Sequence, residues 1–194
     1  MTEVLSPSSI HVATMQHHAF TDKILQGNFL YIATLVCDMK IRIARMRDAY
    51  GIAPLFLQFW TAHRNCGDPQ LVLAKERSIE EETVAAKRYL RKDGTFFIIA
   101  EEEDQIVGYL EIIIKKNPPL FKVKKYGYFD SIVIDEKYRR KGLGSRLVKE
   151  GVRLLKKKKI PFVKTNVYLS NQSAIDFWKN EGFKEVNTFM MKTI

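Results

Sequence analysis

The chain has 194 residues, 46% hydrophobic and 28% charged, a balance that fills one globular core and leaves room for an appendage. Its formal net charge of +10 points to anionic partners, phosphorylated cofactors among them, although lysines on solvated helix faces explain such a charge equally well. Two cysteines, Cys37 and Cys66, argue against a disulfide scaffold, and no apolar stretch reaches the ~20 residues that cross a bilayer; a cytoplasmic protein with no membrane partner is expected.

Residues 1–38 carry three of the four histidines, His11, His17 and His18, without a clear amphipathic period. No carboxylate or cysteine joins these histidines at ligand spacing, so no metal site is expected. An N-terminal extension over 1–38 is predicted, either poorly ordered or upstream of a natural start at Met39, followed by one domain over 39–194.

From Lys40 the pattern becomes regular. Lys40 to Met46 alternates Ile41 and Ile43 with basic residues and predicts a half-buried strand. Asp48 stands where it can cap a helix carrying Ile52, Leu55, Phe56, Phe59 and Trp60 at helical spacing, with Pro54 tolerated in the first turns. Ser78 followed by Glu81 is a capping-box pattern that opens a second helix through about Arg91. Asp93-Gly94 turns the chain into Phe96 to Ala100, and Glu103-Asp104 turns it again into Ile106 to Lys115, a hairpin. The acidic run from Glu101 to Asp104 reads as a solvated turn in the first place, and as an attractor for a cationic acceptor in the second.

Asn117-Pro118-Pro119 ends that hairpin, and Tyr126 to Asp135 is the next strand. A helix from Gly142 to about Lys157 follows, with Leu147, Val148, Gly151, Val152 and Leu155 on one buried face. The lysines from Lys156 to Lys159 complement its negative C-terminus and need no ligand. Pro161 to Leu169 predicts a strand, and Ser170 or Asn171 caps a short helix ending at Gly182, with Phe183 packing back. A last strand from Lys184 to about Lys192 closes the domain. The order β-α-α-β-β-β-α-β-α-β predicts an α/β fold: a mixed, mostly antiparallel sheet with one β-α-β crossover and helices on both faces.

The chemistry concentrates between Ile132 and Leu147. A strand ends, a basic loop of Arg139, Arg140 and Lys141 follows, and a helix opens at Gly142 and Gly144. Unpaired amides and partial positive charge at a helix N-terminus suit a phosphate, and glycines let the backbone approach it closely. Gly144-Ser145-Arg146 lacks the lysine of a P-loop. A dinucleotide fingerprint would need a third glycine where Leu147 stands and an acidic residue at the end of the next strand.

The hexapeptide Arg139-Arg140-Lys141-Gly142-Leu143-Gly144 resembles the coenzyme A signature of the GNAT acetyltransferases. A second block, Asn171-Gln172-Ser173-Ala174 followed by Phe177-Trp178 and Gly182-Phe183, is similar to the family's Asn-x-x-Ala…Tyr…Gly-Phe segment. Lys40 to Asp48 resembles the family's first strand and helix cap. The resemblance runs from Lys40 to the C-terminus and implies a GNAT-like fold with acetyl-CoA as co-substrate, no metal, and direct attack by a primary amine of a small molecule, aminoacyl compound or protein.

It further implies that strand residues Ile132, Val133 and Ile134 bind the pantetheine arm through their backbone, with the Val133 amide polarising the acetyl carbonyl. Backbone amides over Arg139, Arg140, Lys141, Gly142, Leu143, Gly144 and Ser145 would hold the pyrophosphate, and Asn171 the pantetheine arm. Trp178, standing where many members carry a tyrosine that protonates the leaving thiolate, is expected as a core residue or pocket wall, because indole is a very poor acid. Tyr168 is the substitute candidate for that acid. For the base, Asp130 is the first candidate, on the strand face shared with Tyr128 and Ile132, and Glu111 the second. A coenzyme A-binding sensor without catalysis is the alternative reading. No nucleic-acid partner is expected, since the lysine run contains no aromatics, and a homodimer is compatible with the sequence.

Overall fold

The computed structural model describes residues 39–64 and 75–192; the expectations for residues 1–38, and Cys66, lie outside the described residues. Among the described residues five strands form one sheet in sequence order: β1 (Lys40–Ile43), β2 (Thr95–Glu102), β3 (Gln105–Lys116), β4 (Lys125–Ile134) and β5 (Val163–Thr165). Neighbours pair antiparallel except β4 with β5, which run parallel because a helical crossover joins them. This is the mixed α/β architecture that the element order predicts.

The period-2 pattern of the long strands decides which helix covers which face. Phe97, Ile99, Tyr109 and Val133 form one core with Ile52, Leu55 and Phe56 of α1 (Ala49–His63) and Ala86 of α2 (Ile79–Arg91). Ile98, Ala100, Leu110, Ile112 and Phe129 form the other with Leu147, Val148 and Leu155 of α3 (Leu143–Lys157) and Trp178 of α4 (Gln172–Asn180). Each fully buried aliphatic or aromatic side chain contributes roughly 1.5–3 kcal/mol. At Gly151 an added Cβ would lie 2.7 Å from Leu110 and 3.1 Å from Ile112 and Phe129, so only glycine seats α3 this close to the sheet.

Local chemistry sets the helix ends. Ser78 and Glu81 make the reciprocal capping box at the start of α2. Beyond α4, Gly182 takes φ 84° and the Phe183 amide donates to Trp178 O at 3.0 Å, the expected left-handed stop. Asp48 precedes α1 as expected, but its carboxylate does not cap that helix. It accepts from Arg42 at 2.7 and 2.9 Å and from the Arg45 amide at 2.6 Å, locking β1 to the turn that follows.

Two strand expectations are corrected. Of Pro161 to Leu169, only Val163–Thr165 joins the ladder. Lys184 to Lys192 forms no strand. Its apolar residues Val186, Phe189, Met190 and Met191 fall in both phases of a two-residue period, so neither face gathers them, and they stay 63–96% exposed.

Candidate active site

β4 and β5 pair over three positions only, Gly127–Val163, Tyr128–Lys164 and Phe129–Thr165, while β4 continues to Ile134. Past Phe129 the two strands part, and the free edge of β4 opens into a cavity of ≈ 1120 Å³. Ile132, Val133, Ile134, Arg139, Arg140, Gly142, Leu143, Gly144, Ser145, Asn171 and Trp178 all line it. Lys141 does not; its ammonium lies 5.3 Å above the Tyr138 ring.

One end of the cavity is an anion cradle built by backbone. The first α3 amide with an intrahelical partner is that of Arg146, donating to Gly142 O at 3.2 Å, so the amides of Gly142, Leu143, Gly144 and Ser145 have no acceptor within the helix. Arg140 and Gly142 take φ 64° and 73°, the left-handed conformations that turn successive N–H groups into a concavity. For arginine that conformation is strained, as backbone at a binding site often is. Around a Cβ on Gly142 nothing lies within 4 Å, whereas a Cβ on Gly144 would meet Phe177 at 3.1 Å. Arg139 leans back, its Nε donating to Ile134 O at 3.0 Å, and thereby ties the loop to the end of β4.

The other end is shaped by a bulge. The β3–β4 register slips between Glu111–Ser131 and Ile112–Phe129, which leaves Asp130 as the extra residue. The bulge overturns one expectation: Asp130 keeps the face of Tyr128, but Ile132 passes to the opposite face and packs in the α3 core. The Asp135 amide donates to Val107 O at 2.9 Å, and Val133, two residues earlier and opposite Tyr109, shares that direction. The Val133 amide therefore faces β3, not the gap; the amides turned to the gap are those of Ile132 and Ile134.

The two carboxylate candidates separate. Asp130 is exposed and lines a small adjoining cavity of ≈ 90 Å³, together with Ser131, Ile132, His63 and Tyr168. Surrounding protein bulk pushes its carboxyl above the usual range, while Lys115 and Lys92 pull it back. Glu111 is 5% exposed and lines neither cavity. Ser131 Oγ lies 3.2 Å from Glu111 Oε2 and 3.3 Å from the Tyr109 hydroxyl, closing it off. Burial, and then Asp130, push the Glu111 carboxyl up to about 7.

Tyr168 lines both cavities from the loop beyond β5. Asn171 caps α4, its Oδ1 accepting from the Ala174 amide at 3.1 Å, and lines the cavity as well. Trp178, 6% exposed, is both core and wall. Gln58 and His63, which are not among the site residues expected from sequence, reach the cavity from the last turns of α1. Their signal was spacing: Gln58, Phe59, Ala62 and His63 fall on one helix face, polar at its edges. Gln58 Nε2 donates to Asp135 Oδ2 at 3.0 Å, holding α1 against the end of β4. Among the described residues no group of three or more His, Cys, Asp or Glu could hold a metal, and no helix is long and apolar enough to cross a membrane.

Comparison with known proteins agrees with this geometry. The model of the acetyltransferase (GNAT) family matches residues 54–183. The chain belongs to that family. An N-alpha-acetyltransferase of Sulfurisphaera tokodaii is 35% identical over 106 residues, 50% of this chain and 62% of the relative, so the match stops short of two thirds of that protein's length. A mutant protein from Bacillus halodurans has the same fold, with TM-score 0.69 at 19% identity over 80% of this chain and 99% of its own. So does an aminoglycoside N-acetyltransferase solved in complex with CoA, with TM-score 0.65 at 15% identity over 80% and 94%.

Proposed function

We propose that this chain is an acetyl-CoA-dependent N-acetyltransferase whose acceptor is the free α-amine of a peptide or protein. The observation that carries the reading is a single cavity joining an anion cradle to an unpaired strand edge. When bound, acetyl-CoA supplies an activated acetyl group open to direct attack by a neutral amine. The cradle fits its pyrophosphate: the amides from Gly142 to Ser145 need acceptors, and Arg140 adds formal charge. The Ile132 and Ile134 amides hydrogen-bond an extended arm as they would an added strand, and stand where negative charge on the acetyl oxygen needs a donor.

On the acceptor side, Asp130 draws a cationic amine toward the small cavity, Trp178 walls the acetyl end, and Tyr168 offers a hydroxyl near the leaving sulfur. Glu111 serves as a buried prop for Ser131. An α-amine is favoured by the 35% identical relative named an N-alpha-acetyltransferase. It is also easier to deprotonate than a lysine, with a reference pKa of about 7.7–8.0 against about 10.4. Thiol release from acetyl-CoA with unblocked peptides, set against polyamines and aminoglycosides, tests the reading.

A further inference from the structure

With acetyl transfer in this cavity as the premise, we propose that His63 is the base that takes the proton from the acceptor amine. His63 closes the last turn of α1 and lines both cavities beside Ile132, Tyr168 and Asn171. Its Nδ1 lies 2.8 Å from Phe59 O. A carbonyl oxygen only accepts, so Nδ1 carries the hydrogen and donates it, and the neutral ring keeps its lone pair on Nε2. No described residue hydrogen-bonds to that nitrogen.

The ring is held as well as tautomerically fixed. It packs on Phe59 with centroids 4.0 Å apart and meets the Tyr168 ring edge-on at 5.9 Å. A base set in place by backbone and two aromatic neighbours spends little on reorganisation when it takes a proton. The carboxylates are less suited: Glu111 is shut behind Ser131, and Asp130 sits exposed on a bulge, where it steers charge. In the step, the acceptor ammonium gives one proton to Nε2. The freed lone pair forms the N–C bond as the C=O π pair moves onto oxygen; that pair then re-forms the carbonyl as the C–S bond breaks, and the sulfur keeps its bonding pair and takes the second nitrogen proton. The proton on His63 then passes to solvent.

The test uses the full chain, with His63→Ala and His63→Gln assayed for acetyl-CoA affinity by calorimetry and for turnover of an unblocked peptide. Expected are unchanged acetyl-CoA affinity, a kcat lower by about 10²-fold or more in both variants, and recovery of the alanine variant by added imidazole. Three results overturn the role: unchanged kcat, a kcat loss that imidazole leaves untouched, or acetyl-CoA affinity falling in step with turnover. Absence of turnover in the unaltered chain would instead remove the acetyltransferase reading, and the His63 role with it.

Discussion

Gly144 and Phe177 face each other across the mouth of the cradle, so close that a methyl group on Gly144 would stand 3.1 and 3.2 Å from two ring carbons. The first turn of α3 and the inner face of α4 thereby fix the same wall. A side chain at residue 144 must displace Phe177 or tilt the helix whose amides form the cradle. Gly144→Val is expected to weaken acetyl-CoA binding at least tenfold by calorimetry while the protein still melts cooperatively.

Gly142 makes a contrasting case. Nothing lies within 4 Å of a Cβ there, but φ is 73°. Gly142→Ala should lower stability by about 1–2 kcal/mol from the left-handed conformation alone, read by denaturant unfolding. Acetyl-CoA should protect this variant on binding, since the amides it needs remain.

The cluster at Arg42 predicts an acid-limb loss of stability. Asp48 is 7% exposed, and the Arg42 guanidinium, followed by the Arg45 amide, holds its carboxyl below the usual range. A depressed folded pKa stabilises the protein above the unfolded value of about 3.9, and that contribution disappears as pH falls through the folded value. Arg42→Ala should destabilise by about 2 kcal/mol at neutral pH, and its melting temperature should fall less than that of the unaltered chain below pH 4, in thermal scans.

Glu111 carries the opposite sign. Its carboxyl, pushed up to about 7, binds a proton in the folded state that the unfolded chain has lost above about 4.3. Stability from this group is complete below the unfolded value and declines as pH rises toward 7. Glu111→Gln should flatten that decline in melts between pH 4 and 8. Because Glu111 lines neither cavity, kcat should change less than threefold; a larger loss would return the base role to it.

Asp130 separates attraction from proton transfer. Asp130→Asn should raise KM for a cationic peptide acceptor severalfold, leave acetyl-CoA affinity alone, and change kcat little.

The parts legible in sequence were those written in local chemistry. Gly142 and Gly144 after a basic loop, the Ser78–Glu81 box and the Gly182-Phe183 stop each declare themselves within a few residues. The expectation of helices on both faces of the sheet holds because Phe97 and Ile99 face one core while Ile98 and Ala100 face the other. Asp130 breaks such alternation, and a bulge depends on the partner strand, which no single segment encodes. The direction of the Val133 amide followed from the same hidden register. His63 was hidden differently, since its value lies in a tautomer set by Phe59 and in a cavity whose other walls run from Ile132 to Asn180, far along the chain. The expected last strand from Lys184 to Lys192 does not form, since its apolar members occupy both phases of a two-residue period.

Acetyl transfer to a free α-amine is read most directly from thiol release from acetyl-CoA by the full chain, with unblocked peptides, Nα-blocked peptides carrying lysine, polyamines and aminoglycosides as acceptors. Turnover with the unblocked peptides is expected, lost when the α-amine is blocked. Tight acetyl-CoA binding with no release by any peptide, or release only by aminoglycosides or polyamines, would contradict an α-amine acceptor.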